Sequence, residues 1–235
     1  MSLIIENLRN ELKAAADESV RIQQEHFFKE EIKLYGLKSV QTRDIGKKFF
    51  KQLPDKSKEG VLQYCEELFS PMIFEESITA CEWSYNVRKQ YSADDFSTFE
   101  AWVNKYVSNW AVCDTLCNHS VGTLVEMFPE CIRRLKKWSS SENRWVKRAS
   151  AVTLIIPARK GLFLQDIFEI ADKLLDSKDD MVQKGYGWML KAASEADCDA
   201  VFDFVMSRKS TMPRTSLRYA IEKMPAELKS QAMLK

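Results

Sequence analysis

The chain of 235 residues carries 35 Lys/Arg against 34 Asp/Glu, a net charge of +1, and is 45% hydrophobic, which is ordinary for a globular protein. Its length suits one large domain, two small ones or a solenoid. Seven glycines and six prolines are too little turn punctuation for a strand-rich fold, so an all-α fold is expected.

Along the chain, Ile4, Leu8 and Leu12 form an i, i+4, i+8 stripe on a first helix. HFFKEEIKLYG (26–36) reads as a second amphipathic helix with Gly36 at its C-cap. TRDIGKKFFKQLP opens a helix at Thr42 and stops it at Pro54; VLQYCEELF (61–69) and FEESITACEWSYNVRKQY (74–91) follow. Ser92 with Asp95, and Ser139 with Glu142, have the spacing of capping boxes. Pro213 fits the first turn of the last long helix.

A faint repeat runs through the second half. SNWAVCD and NRWVKRA place Trp110 and Trp145 in equivalent positions, and DDMVQKGYGWML and STMPRTSLRYAI continue at about the period of helix-pair repeats. One helix pair cannot bury its apolar face alone, so such units stack into a curved solenoid, with second helices expected to line a shared concave surface.

Charge is unevenly spread. Residues 131–160 hold nine Lys/Arg against one acid, Glu142, while 62–100 hold eight acids against Arg88 and Lys89. The basic stretch suits an anion footprint or a plain solvated face. The N-terminal MSLIIENLRNELKAAADE meets acids and a base too early for a signal peptide. The longest apolar run, near AVTLIIPA, is too short for a bilayer and ends at Pro157. Six cysteines with no CxxC pair point to free thiols in a reducing compartment. The expectation is a soluble cytoplasmic protein.

No GxGxxG, Walker loop, HExxH or GxSxG occurs. Cys113, Cys117 and His119 are close in sequence but match no zinc spacing, and small core cysteines are the better reading. Neither a metal nor another cofactor is expected.

Trp110 stands four residues before Asp114 in NWAVCDTLC, so on a helix the ring and the carboxylate share a face. A core wants neither the charge nor its desolvation cost, whereas a site that handles a cation wants both. Arg148 and Trp188 stand at related places on later second helices. Each also has a plainer explanation: core aromatics, an ion pair between Asp114 and Arg148, or a surface charge.

The blocks NWAVCD, NRWVKRA and VQKGYGWML, with KLYGLKSVQTRDIGKK before them, resemble the motif blocks of the AlkD-type DNA alkylation repair enzymes, in that family's order and over nearly the whole chain. The resemblance implies HEAT-like helical repeats in a right-handed α–α superhelix, taken here as one domain over residues 1–235. It also implies a monofunctional DNA glycosylase that removes N3- and N7-alkylated purines from double-stranded DNA. On that resemblance Trp110 and Trp188 are the active-site tryptophans, Asp114 the catalytic carboxylate and Arg148 the phosphate-binding arginine. Cys113 and the LKAAS run after Trp188 do not match the family's pattern. A monomer is the default.

The chemistry fits these residue types. A purine alkylated at N3 or N7 is cationic, and positive charge moves to the sugar as the glycosidic bond breaks. An aspartate stabilises that charge and orients water, and indole faces attract cations. Lys147, Arg148, Lys184 and Lys191 are expected to grip DNA, the last two on the helical face of Trp188. Gly185 and Gly187 mark either a close helix crossing or a close approach to DNA. Two rival readings remain open: a non-catalytic helical-repeat scaffold that binds a protein, and a DNA-damage-binding protein that does not cut.

Overall fold

The computed structural model describes residues 2–234, which are all-α with one isolated bridge, between Lys33 and Ile73. The chain forms two compact units, the first ending at Leu116 and the second beginning at Cys117.

The first unit contains α1 (Leu3–Ala14), α2 (Glu18–Phe27), α3 (Ser39–Gln52), α4 (Lys58–Phe69), α5 (Phe74–Asn86), α6 (Asp95–Tyr106) and α7 (Trp110–Thr115). Its core stripe on α1 is Ile5, Leu8 and Leu12, all fully buried. Ile4 is only half-buried, because an i, i+3, i+7 ladder serves the helical period as well as the expected one. Helix α3 begins at Ser39, one turn before Thr42. The Ser92–Asp95 pair is half realised: the carboxylate accepts from the Ser92 N–H at 2.7 Å and begins α6 itself.

Of the helix expected over 26–36, only His26 and Phe27 are helical, as the end of α2, and the rest is not. Asp17 caps α2 by accepting from the Ser19 and Val20 N–H groups, and the chain leaves the helix at Phe28 to run extended into α3. The reason is tertiary. Glu75, fully buried at the start of α5, accepts N–H bonds from Tyr35 (2.9 Å), Gly36 (2.8 Å) and Leu37 (3.1 Å). Its neighbour Glu76, equally buried, accepts from the Tyr35 hydroxyl at 2.6 Å and from Arg9 Nε at 2.8 Å. Three consecutive N–H groups spent on one carboxylate cannot also serve a helix. Gly36 is left-handed (φ +96°), and a Cβ there would meet the Asp17 carbonyl oxygen at 2.5 Å. It therefore serves a close backbone approach, not a helix C-cap.

The second unit contains α8 (Gly122–Met127), α9 (Ile132–Trp138), α10 (Arg144–Val152), α11 (Ile155–Arg159), α12 (Leu164–Leu174), α13 (Asp180–Ser194), α14 (Cys198–Arg208), α15 (Arg214–Ala220) and α16 (Ala226–Met233). Helix α13 is its axis and packs against α10, α11, α12, α14 and α15. The expected Ser139–Glu142 box does not form. Ser139 Oγ donates to the Lys136 carbonyl at 2.7 Å, closing α9, and Asn143 caps α10 by accepting from the Trp145 N–H at 2.9 Å. Pro213 does open α15, but α16 follows it.

The repeat is visible in the caps. Asn109, Asn143, Asp179 and Pro213 open α7, α10, α13 and α15, about 35 residues apart, as helix-pair repeats require. In this register Trp110 corresponds to Arg144, one place before Trp145, which is buried. Asp114, Arg148, Lys184 and Arg218 are then equivalent positions.

Candidate functional site

Helix α7 starts where Asn109 Oδ1 accepts from the Val112 N–H at 3.0 Å. It turns Val112 and Cys113 into the core and leaves Trp110, Ala111, Asp114 and Thr115 half-buried. Trp110 and Asp114 thus lie one turn apart on the same edge, neither sealed in nor fully solvated. Thr115 Oγ1 donates back to the Ala111 carbonyl at 2.7 Å, and a π-helical turn, Leu116–Val121, follows. Such turns are rare and recur at functional sites.

Trp110 is held by two side chains at the end of α2, Phe27 and its C-cap Phe28. Its ring stacks on Phe28, with centroids 5.6 Å apart and planes at 28°, and meets the edge of Phe27 at 5.8 Å. Phe28 in turn rests edge-on against Phe74 at 5.5 Å. Phe27 is 68% exposed. Beside these rings is a cleft of about 260 Å³, lined by Gln24, Phe28, Thr42, Phe74, Ile78 and Trp110 among others. The Phe27–Phe28 doublet is plain in the sequence, but no local signal there links it to Trp110.

In the second unit Arg148 is 5% exposed and donates from Nη1 to the Met181 carbonyl in the first turn of α13. Gly185 makes the room, because a Cβ there would come within 3.2 Å of Arg148 Cγ. Gly187 permits a close helix crossing: a Cβ would meet Tyr219 Cβ at 2.7 Å and the Ser216 carbonyl oxygen at 2.9 Å on α15. Trp188, between them and the end of α13, is half-buried.

The expected DNA-gripping lysines differ in their surroundings. Lys147 is half-buried on α10. Lys184 Nζ lies 2.7 Å from Asp180, whose hydrogen bond holds the ammonium above its usual range while desolvation opposes it. Lys191 Nζ lies 3.0 Å from Glu222 and 5.7 Å from the Tyr219 ring centroid. The basic stretch is also partly neutralised. Lys136 pairs with Asp166 (2.6 Å) and Glu169 (2.7 Å), Arg144 with Asp179 (2.7 Å), and Lys160 with Glu126 (2.6 Å). All four acids come from outside the stretch, so the run of sequence overstates the local field.

All six cysteines are free, and Cys113 and Cys117 are buried. Among the described residues no three His, Cys, Asp or Glu side chains gather as a metal site, and no helix is long and apolar enough to cross a membrane.

Stacked helix pairs, one second helix presenting an indole beside a carboxylate and others presenting Arg148, Lys184 and Trp188, define an all-α repeat protein with polar and aromatic groups on corresponding helices. The comparisons with known proteins carry this further: the chain belongs to the DNA alkylation repair enzyme family, whose sequence profile matches residues 8–224. A solved structure described as a "predicted DNA alkylation repair enzyme" from Enterococcus faecalis shares the fold. Its TM-score is 0.79 at 14% identity, covering 90% of this chain and 97% of that one. No curated protein sequence matches the chain.

Proposed function

We propose that the protein is a DNA glycosylase that hydrolyses the N-glycosidic bond of positively charged N3- and N7-alkylated purines in duplex DNA, the first step of base excision repair. The observation that carries this reading is the pairing of Trp110 with Asp114 on the accessible edge of α7, in a chain of the DNA alkylation repair family.

As the bond breaks, its electron pair returns to the purine and neutralises the leaving base. Positive charge develops on the deoxyribose. The Asp114 carboxylate stabilises that charge and orients the water whose oxygen bonds to C1′, the proton passing to the carboxylate or solvent. The indoles of Trp110 and Trp188 offer electron-rich faces to the cationic nucleotide, each worth about 0.5–2 kcal/mol. Arg148, Lys147, Lys184 and Lys191 serve the DNA backbone, which fixes register without reading sequence. Alkylation has already activated the leaving group, so no strong acid is required, and neutral lesions such as uracil or hypoxanthine are poor substrates on this reading.

The test is release of 7-methylguanine and 3-methyladenine from methylated duplex DNA by the wild type beside Asp114→Asn. Release by the wild type, cut at least a hundredfold in the variant while DNA binding persists, supports the glycosylase. No release by folded wild-type protein rejects it in favour of a binding scaffold.

A further inference from the structure

The cations with the strongest sequence case are largely engaged within the second unit. Arg148 is 5% exposed and bonded to a carbonyl, Lys184 faces Asp180, and Lys191 faces Glu222. Two others differ. Arg214 and Arg218 on α15 are both exposed and form no ion pair with any described residue. They are four residues apart and so project from one face of the helix.

Helix α15 is the next second helix after α10 and α13, opened by Pro213 as those are by Asn143 and Asp179. Arg218 holds the register position of Arg148 and Lys184. The Gly187 crossing sets α15 against α13, which places the three cations on successive packed helices. Packed helices lie about 8–10 Å apart, so the row extends about 20 Å, or roughly six base pairs at about 3.4 Å each. Arg214 and Arg218 thus offer a phosphate strand two guanidinium groups on one exposed face of α15, with no ion-pair partner among the described residues. Arginine suits it through its planar fork of N–H donors.

We propose that Arg214 and Arg218 form a phosphate-binding site for duplex DNA that extends the row begun at Arg148 and Lys184 to the last helix pair. The proposal rests on the reading that this chain binds DNA. The experiment is titration of an undamaged fluorescent duplex with the full chain over a range of salt concentrations. The wild type is compared with Arg214→Ala/Arg218→Ala and with Arg133→Ala/Lys137→Ala, which removes two exposed cations of the same spacing from the first helix α9.

The slope of log affinity against log salt is expected to fall by about two in the α15 variant, since each phosphate contact contributes about 0.9. Affinity at low salt should fall at least tenfold. The α9 variant should keep the wild-type slope, and Arg214→Lys/Arg218→Lys should restore most of it. An unchanged slope in the α15 variant, or an equal loss in the α9 variant, overturns the site while leaving DNA binding intact. Wild-type protein with no salt-dependent affinity for DNA overturns the reading beneath it as well. All the substituted positions are exposed, and unchanged thermal melting verifies that each variant is folded.

Discussion

Gly185 and Arg148 are fitted to each other: a Cβ added to the glycine would stand 3.2 Å from Cγ of the arginine and 3.5 Å from its Nη1. The atoms met belong to a side chain and not to backbone, so Gly185→Ala displaces Arg148 from its bond to the Met181 carbonyl instead of forcing the helices apart. The helix propensity that alanine gains over glycine, about 1 kcal/mol, offsets most of the cost of moving that side chain, so stability should change by less than about 1 kcal/mol, while affinity for duplex DNA should drop several-fold as Arg148 leaves its place. Gly187→Ala makes the opposite prediction. Its Cβ would meet backbone atoms, the Ser216 carbonyl oxygen at 2.9 Å and Cα at 3.1 Å, which cannot step aside. Helix α15 would be forced from α13 at about 1–3 kcal/mol. Urea denaturation of both variants beside a DNA titration separates the two effects; equal destabilisation would contradict the distinction.

Phe28 fixes the plane of Trp110 by stacking on it at 5.6 Å, so it acts as a positioning residue for the proposed site. Phe28→Ala frees the indole to rotate into the adjacent cleft. The expected result is a fall of about tenfold in the single-turnover rate of 7-methylguanine release with little change in DNA affinity, since misplacement of an aligned group costs rate more than binding. Phe28→Tyr preserves the stack and should restore most of the rate. A purely structural role would instead appear as lost stability with the rate of the folded fraction unchanged.

The elements legible in the sequence are those whose signals are local. Pro54 follows the end of α3, Pro213 opens α15, and the pairing of Trp110 with Asp114 follows from helical spacing alone. What the sequence concealed depends on partners far along the chain. The stretch 26–36 has helix-like composition, but the N–H groups of Tyr35, Gly36 and Leu37 go to Glu75, about 40 residues away. The Ser139–Glu142 spacing satisfied a capping rule that Asn143 met first. Trp145 matched Trp110 by residue type, yet the caps shift the register by one and bury it. The support of Trp110 by Phe27 and Phe28 was likewise invisible, because it joins α7 to a segment read with the wrong conformation.

Glu75 should therefore be the residue on which the extended segment depends. A fully buried carboxylate with three N–H donors leaves all three unsatisfied when truncated, and Glu75→Ala should cost about 3–5 kcal/mol. Glu75→Gln keeps one acceptor oxygen but turns an amide donor towards the others, so an intermediate loss is expected. The local signature is faster proteolysis and amide exchange at residues 34–37 than in α4 or α6. Uniform exchange across the unit would mean that Glu75 supports the whole core and not this segment in particular.

Tyr186 makes stability depend on alkaline pH. It is fully buried on α13, and burial pushes its phenol up to about 12, with the Ser216 hydroxyl opposing and the charge of Asp176 adding to the rise. The unfolded chain ionises this group near its ordinary value of about 10. Because the folded value is the higher, the folded state holds the proton more tightly. Its stabilising contribution is complete below pH about 10 and disappears as pH rises to about 12, a loss of roughly 2–3 kcal/mol. Tyr186→Phe has no proton to lose and escapes this part of the decline. The difference in unfolding free energy between wild type and variant should thus be constant from pH 7 to 9 and shift in favour of phenylalanine above pH 10. Burial also raises Tyr35 and Cys65, and both remain in the variant, so their contributions cancel in the comparison. A pH-independent difference up to pH 12 would mean that the phenol reaches solvent before the protein unfolds.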